Sequence, residues 1–332
     1  MDEKIKSNLL SFINEQSQLS FDELCLQVFK FQYTYNSIYH SYVDGLKVKT
    51  EQVKIIEQIP FLPIEFFKTQ TVKSTDRADQ IVFTSSGTTG ERTSKHRVAD
   101  LNLYKTSFKK DFEFFYGNVK QYCILALLPN YLEREGSSLV YMTEQLIKDS
   151  ENPNSGFFLH NLNELKTKLI QLETRNPKPF LLGVTYALLD FAEFTKGELK
   201  LKNTIIMETG GMKGKRKEMV RGEVHSVLKN SFGVNTIHSE YGMTELLSQA
   251  YSKGDGIFVC PPWMKVFIRD VNDPLSIAEP EKTGGINVID LANIYSCSFI
   301  ATQDLGKIYS DNSFEVLGRF DNSDVRGCNL LV

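Results

Sequence analysis

Gln80-Ile81-Val82-Phe83-Thr84-Ser85-Ser86-Gly87-Thr88-Thr89-Gly90 is a short apolar run that empties into small hydroxyl residues and glycine. Such a run reads as a strand over residues 80–83 followed by a tight loop. Downstream the same pattern recurs. Asp100 stands at the N-cap of a helix expected to reach about Tyr116. Residues 122–128 are continuously apolar and stop at Pro129, as a strand buried on both faces requires. Asn161-Leu162-Asn163-Glu164 opens another helix with capping-box spacing. Residues 180–184 and 204–207 are further strands, each leading into a helical stretch. This alternation predicts an α/β fold with a parallel-rich sheet flanked by helices. Beyond Gly254, residues 257–260, 265–269, 286–289 and 314–317 read as strands of a β-rich subdomain.

Upstream, the first 80 residues read as mostly helical. Ser20-Phe21-Asp22-Glu23 is a capping box. Leu24, Val28, Phe31, Tyr35 and Ile38 follow at close to helical spacing, a packing face. The prolines in Ile59-Pro60-Phe61-Leu62-Pro63 exclude a helix interior there. The expected organisation is a helical segment over 1–80 packed on a core domain over 81–318, with a tail over 319–332.

The 332 residues suffice for one large or two medium domains. With 41% hydrophobic and 24% charged residues, the composition is that of a globular protein able to enclose a pocket. A net charge of −3 gives no reason to expect a nucleic-acid partner. Lys213-Gly214-Lys215-Arg216-Lys217 reads as a solvated helix start. Five cysteines, odd in number, widely spaced and without C-x-x-C, argue against zinc and against a disulfide framework. A reducing cytoplasm is the expected compartment. Met1-Asp2-Glu3-Lys4 is acidic, unlike a signal peptide, and the longest apolar run, residues 123–128, is too short for a transmembrane segment.

Several segments carry chemistry. Gly87 and Gly90 let backbone N–H groups converge on an anion, Thr84, Ser85, Ser86, Thr88 and Thr89 add hydroxyls, and Lys95 and Arg97 add charge. The loop fits neither the Walker A pattern nor the dinucleotide fingerprint. Read alone, it is equally a surface turn. Glu208-Thr209-Gly210-Gly211 runs from a strand into a double glycine that permits close approach to a flat ligand or an acyl chain, or that merely turns the chain. In Tyr241-Gly242-Met243-Thr244-Glu245 the ring can pack on a purine, Thr244 can bond an α-phosphate oxygen, and Glu245 can ligate magnesium. The alternative is a loop with a capping Thr-Glu pair. Thr302-Gln303-Asp304-Leu305-Gly306 presents a carboxylate beside a turn, able to accept ribose hydroxyls, and Arg319 in Gly318-Arg319-Phe320-Asp321 can face phosphate or ribose. A triphosphate with its metal needs these groups together.

In this order the segments resemble the adenylate-forming superfamily of acyl-CoA synthetases, luciferase-type enzymes and nonribosomal adenylation domains. The resemblance runs from Phe83 onward, with its phosphate loop on residues 84–90, its Y-G-x-T-E motif on residues 241–245, its ribose-binding Asp on Asp304 and its hinge motif on residues 318–321. Residues 59–68, Pro129-Asn130-Tyr131-Leu132-Glu133-Arg134 with Ser137-Ser138-Leu139, and Glu208-Thr209-Gly210-Gly211-Met212-Lys213-Gly214 resemble the acyl-protein synthetase (LuxE) branch. The resemblance implies the acyl-CoA synthetase-like N-terminal domain fold without the superfamily's C-terminal lid and lid lysine. It implies ATP and Mg2+ as cofactors, a carboxylic, fatty acid substrate, an acyl-adenylate intermediate, and an acyl-CoA reductase-like protein partner. Cys328, in Arg326-Gly327-Cys328, occupies the place of the branch's acyl-accepting cysteine. Lys95 would neutralise the leaving pyrophosphate. Two other readings stay open: an acid–CoA ligase of the phenylacetate-CoA ligase type, and a non-catalytic nucleotide- or acyl-binding partner subunit. Cys25 and Cys123 read as core, and Cys260 and Cys297 have no convincing base nearby. His96 and His238 lie nearest the two motifs in sequence.

Overall fold

The computed structural model describes residues 2–85, 92–129, 136–159, 161–212, 216–217 and 219–320. The roles read for Ser86, Gly87, Thr88, Thr89, Gly90 and Cys328 fall outside the described residues. Two compact units divide the chain: Met1–Ala78 with Pro262–Val332, and Asp79–Pro261.

The first unit begins with α1 (Asp2–Ile13), α2 (Phe21–Tyr35), α3 (Ser37–Gly45), β1 (Leu62–Pro63) and α4 (Phe66–Thr69). The capping box forms as read: Ser20 Oγ accepts from Glu23 N, and Glu23 accepts from Ser20 N at 2.8 Å. Of the stripe, Leu24, Val28 and Phe31 are buried, Tyr35 is exposed at the end of α2, and Ile38 is half-buried in α3. Gln32 takes a core position instead. Its amide donates to Asn293 O at 2.9 Å and Ile294 O at 3.1 Å, and accepts from Ser298 N. A buried amide with all these partners fixes α2 against a distant segment of its own unit.

The second unit carries β2 (Ile81–Thr84), β3 (Lys95–Val98), α5 (Leu101–Tyr116), β4 (Tyr122–Leu127), α6 (Ser138–Asp149), β5 (Gly156–Phe158) and α7 (Leu162–Leu172). It continues through β6 (Lys178–Val184), α8 (Thr185–Thr195), β7 (Ile205–Thr209), α9 (Arg221–Phe232), β8 (His238–Tyr241), β9 (Ala250–Ser252) and β10 (Ile257–Phe258). Asp100 and Asn161 cap α5 and α7 as their sequence positions predict. The strand order is β5-β4-β6-β7-β8-β9, parallel through β8, with β9 antiparallel. The chain steps outward from β4 to β5, then returns to the other side of β4 and builds β6, β7 and β8 in turn. Strand order therefore reverses between β4 and β6, the switch point beside which open α/β sheets bind ligands at their carboxyl edge. Strands β4 and β6 are buried almost throughout, which accounts for their unbroken apolar runs. Arg216 is not the solvated helix start that its basic run suggested. Helix α9 begins at Arg221, and Arg216 bridges Asp190 and Glu193 on α8, the latter at 2.7 Å.

The rest of the first unit is an antiparallel meander of β11 (Met264–Arg269), β12 (Thr283–Asp290), β13 (Phe299–Ile308) and β14 (Phe314–Arg319), with β1 parallel to β13. Asp304 lies inside β13, directly across from Arg319 on β14, so the turn expected beside it is a continuous strand. Strand β12 pairs residues 299–301 and 305–307 of β13 and its register shifts past Thr302-Gln303-Asp304, so the polar run is an irregularity within the strand and not a turn that ends it.

Candidate active site

At the carboxyl edge of the parallel sheet β6 runs straight into α8 at Thr185, while loops leave after β7 and β8, and each place carries a polar residue the sequence singled out or passed over. After β7, Gly210 takes a φ of +70°, a left-handed turn that glycine adopts at no steric cost. Beside Gly211, its own chain neighbours apart, no heavy atom of the described residues lies within 4 Å of the position a Cβ would take. Tyr241 ends β8, and Gly242, Thr244 and Glu245 follow it. The Tyr241 ring meets Phe258 edge-on, 6.0 Å between centroids. Gly242 passes over the Glu240 carboxylate so closely that a Cβ there would stand 2.3 Å from Oε1. Glu240 is held from below by the Thr209 hydroxyl.

The β2–β3 hairpin brings the stem of the glycine loop to the same place. Strand alternation puts Lys95 and Arg97 on one face of β3 and His96 and Val98 on the other. His96 is buried, and its Nδ1 lies 2.8 Å from Thr244 O. That contact to a carbonyl requires the proton on Nδ1. Burial lowers the His96 pKa to about 4, against the opposing pull of the Thr244 bond, so the ring is neutral at pH 7. Ser85 Oγ accepts from Ser94 N at 2.9 Å, while Ser85 N donates to Ser94 O at 3.1 Å. Thr84 N donates to Gly136 O at 2.8 Å, tying the end of β2 to the residue before the α6 cap. Ser85 thus closes the loop stem, a structural duty the sequence did not reveal. Lys95 is exposed, and Arg97 is paired with Asp79 at 2.6 Å.

A second polar group sits beneath the edge. The Thr185 hydroxyl donates to Glu208 Oε2 at 2.8 Å, Arg221 Nε lies 3.4 Å from Glu208 Oε1, and His225 Nε2 lies 3.5 Å from the same oxygen. Burial pushes the Glu208 carboxyl up, but His225, the Arg221 charge, Ser239 and Thr185 together hold it below its ordinary value. Ser239 Oγ also reaches His225 Nε2, at 3.3 Å. Serine, histidine and glutamate are the residue types of a hydrolytic triad, yet here one nitrogen makes both contacts and Ser239 is fully buried. A triad needs serine and carboxylate on opposite ring nitrogens and an accessible hydroxyl. Sequence reading quoted Glu208 but assigned no role to Arg221, His225 or Thr185, because no local spacing links them.

In the other unit, Arg319 Nε donates to Asp304 Oδ1 at 3.1 Å, with the Arg319 side chain 76% exposed and that of Asp304 10%. The structure therefore brings Tyr241, Gly242, Thr244 and Glu245 together with the β2–β3 stem in one unit, and pairs Asp304 with Arg319 in the other. His238 opens β8 instead of closing it, bonded to Tyr116 OH at 3.1 Å, and burial lowers its pKa to about 4. Burial also raises the thiols of Cys25, Cys123 and Cys297, the last to about 12, which suits core residues and not nucleophiles. Among the described residues no group of three or more His, Cys, Asp and Glu side chains is placed to hold a metal. Glu245, buried at the edge, brings a single carboxylate. Such a donor set fits magnesium, which keeps much of its water and binds through one or two carboxylates plus substrate phosphates. No helix of the described residues is long and apolar enough to cross a membrane.

Comparison with known proteins follows the same lines. ATP-bound MatB from Rhodopseudomonas palustris superposes with a TM-score of 0.53 at 17% identity, covering 74% of this chain and 49% of its own. The open conformation of 2-hydroxyisobutyryl-CoA ligase, solved with 2-HIB-AMP and CoA, gives 0.66 at 12% identity over 91% of this chain and 70% of its own. This chain thus spans about half the length of MatB. At these identities the likeness is one of fold, the mixed α/β fold of acyl-CoA synthetase-like N-terminal domains: the strand–helix alternation predicts its α/β class, and the motif resemblance implies the fold itself. No curated protein matches the sequence. A family model described as acyl-protein synthetase, LuxE, matches residues 2–332, and the chain belongs to that family.

Proposed function

We propose that this protein uses ATP to convert a carboxylic acid, in the finer reading a fatty acid, into its acyl-adenylate, and then passes the acyl group to Cys328. The observation that carries the reading is the 2.8 Å contact from His96 to Thr244 O, which joins the stem of the glycine loop to the Y-G-M-T-E loop at the sheet's carboxyl edge. Family membership and fold support it.

In this reading the substrate carboxylate attacks the α-phosphorus of ATP, the bond to the bridging oxygen breaks, and pyrophosphate leaves. Thr244 donates to an α-phosphate oxygen, Tyr241 packs on the base, and Gly210 and Gly211 let the acyl-phosphate pass close to the backbone. Residues 84–90 donate to the phosphates, and exposed Lys95 neutralises pyrophosphate. Magnesium on Glu245, when bound, supplies charge neutralisation on the phosphates. For Asp304 and Arg319 the reading assigns ribose and phosphate contacts. The Cys328 thiolate then attacks the acyl carbonyl, AMP departs with the bonding pair, and a thioester remains for delivery to an acyl-CoA reductase-like partner in the cytoplasm.

The test is incubation with ATP, magnesium and a panel of acids, read by acid-dependent exchange of pyrophosphate into ATP and by intact mass. Exchange with an acyl adduct is expected, with the adduct lost and exchange kept in Cys328→Ala. Glu245→Gln is expected to lower exchange at least tenfold, in keeping with the loss of an electrostatic stabiliser. Absence of exchange with every acid, with or without a reductase, defeats the reading. Unchanged thioester output from Cys328→Ala with coenzyme A present moves the acceptor from the protein to coenzyme A.

A further inference from the structure

Glu208 and Arg221 are joined to Tyr241 by a continuous run of contacts. The Arg221 guanidinium lies over the face of the Phe258 ring, 4.9 Å from its centroid. Phe258 is fully buried and meets Tyr241 edge-on at an interplanar angle of 62°. On its other side Arg221 is held by Glu208 Oε1 at 3.4 Å. Gly256 makes the space: a Cβ there would stand 2.9 Å from Arg221 Cδ. A cation over an aromatic face is attracted by the ring quadrupole, and more strongly when water is excluded. Aromatic pairs at an edge-to-face angle hold their relative orientation for the same electrostatic reason. These four side chains are therefore stacked in a fixed order, carboxylate, guanidinium, phenyl, phenol, with each orienting the next.

We propose that Arg221, anchored by Glu208 and acting through Phe258, is a positioning residue for the nucleobase platform of Tyr241. The inference rests on the adenylate-forming reading and deepens it, since it assigns recognition of the base, separate from the phosphates, to a guanidinium that never touches the nucleotide. Without the guanidinium the Phe258 ring loses its orienting charge, and Tyr241 loses the edge that sets its tilt. Binding of ligands that carry the base should suffer, whereas binding of ligands that are phosphate alone should not.

The experiment is calorimetric titration of the full chain with AMP and, separately, with magnesium pyrophosphate, for the wild type, Arg221→Ala, Arg221→Lys and Phe258→Leu. Arg221→Ala and Phe258→Leu are expected to bind AMP roughly tenfold more weakly, the scale of a desolvated cation–π contact. Pyrophosphate binding should stay within about twofold in both. Arg221→Lys should fall between, because an ammonium keeps the charge but not the planar stack. In turnover the Arg221 variants should raise KM for ATP while leaving kcat near the wild-type value. Parallel loss of AMP and pyrophosphate binding would mean a general structural role and overturn the proposal, as would unchanged AMP affinity in every folded variant. Should Arg221→Ala not fold, the Lys and Leu variants decide by the same criterion. If the wild type itself binds neither ligand, it is the underlying nucleotide reading that fails.

Discussion

Glu208 and Asp304 are both carboxylates that face an arginine, but they are built on opposite principles. Glu208 lies under the edge of a parallel sheet with Thr185, Arg221 and His225 on its two oxygens. Asp304 stands in an antiparallel strand with Arg319 opposite it, and that arginine is mostly in water. In the first, burial is a large cost that only a full set of partners offsets, so every partner becomes structurally indispensable. In the second, solvent already satisfies the guanidinium, and the pair adds little to stability. An arginine so lightly held can be redirected to a ligand, whereas Arg221 is committed to its place.

The sharpest way to break this contrast is Glu208→Leu. Arg221 and His225 would lose their common acceptor, and removal of one partner of a buried charge pair costs about 3–5 kcal/mol. Urea unfolding should register that loss. The pH dependence gives an independent check. Because the Glu208 carboxyl is held below its unfolded value of 4.5, its contribution is present above that pH and lost as pH falls through the folded value. The acid limb below the unfolded value should therefore flatten in Glu208→Leu.

A smaller effect is expected at the hairpin. His96→Phe leaves Thr244 O without its 2.8 Å partner, at a cost of about 0.5–1.5 kcal/mol, the net worth of one part-buried hydrogen bond. The folded pKa of His96 is depressed from 6.5 to about 4, so between those values the unfolded chain binds a proton that the folded chain refuses. Stability of the wild type should thus decline as pH drops through that window and be level above it. His238 behaves alike, so His96→Phe should remove about half of the slope contributed by the two histidines, measured by unfolding at a series of pH values.

Arg319→Ala should move stability least, by about 0.5 kcal/mol or less, as is usual for an exposed pair. Its interest lies in the comparison with function. If Asp304 and Arg319 contact ribose and phosphate, Asp304→Asn and Arg319→Ala should each raise KM for ATP several-fold at nearly unchanged urea midpoint. A loss of stability as large as that of Glu208→Leu would erase the distinction between the two carboxylates.

Much of the secondary structure is readable from the sequence, for reasons specific to each element. Ser20, Asp100 and Asn161 cap their helices because a cap is a bond between residues three or fewer apart. Strands β4 and β6 announced themselves because burial on both faces demands an unbroken apolar run. Strand β13 did not. Its polar residues and Gly306 look like a turn, yet the strand runs through them: Gly306 is paired by both β12 and β14, and Thr302-Gln303-Asp304 sits where the β12 register shifts. Arg216 looked like one of a solvated cluster because Asp190 and Glu193 precede it by more than twenty positions. The candidate site divides in the same way. Tyr241, Gly242, Thr244 and Glu245 were visible as one contiguous motif, while His96 and the Glu208–Arg221 pair acquired meaning from partners that no spacing rule connects.

Within the linear chain, helix starts, buried strands, the alternation that makes a parallel sheet, and the order of the chemical motifs were already settled, since each depends on neighbours a few residues away or on simple periodicity. Left open until folding were the reversal of strand order between β4 and β6, the grouping of Met1–Ala78 with the C-terminal strands, and the contact of His96 with Thr244 across 148 positions. Those depend on which distant surfaces exclude water together. Burial then decides the charge of a histidine and the partners of a carboxylate, quantities that have no value for an isolated segment in water.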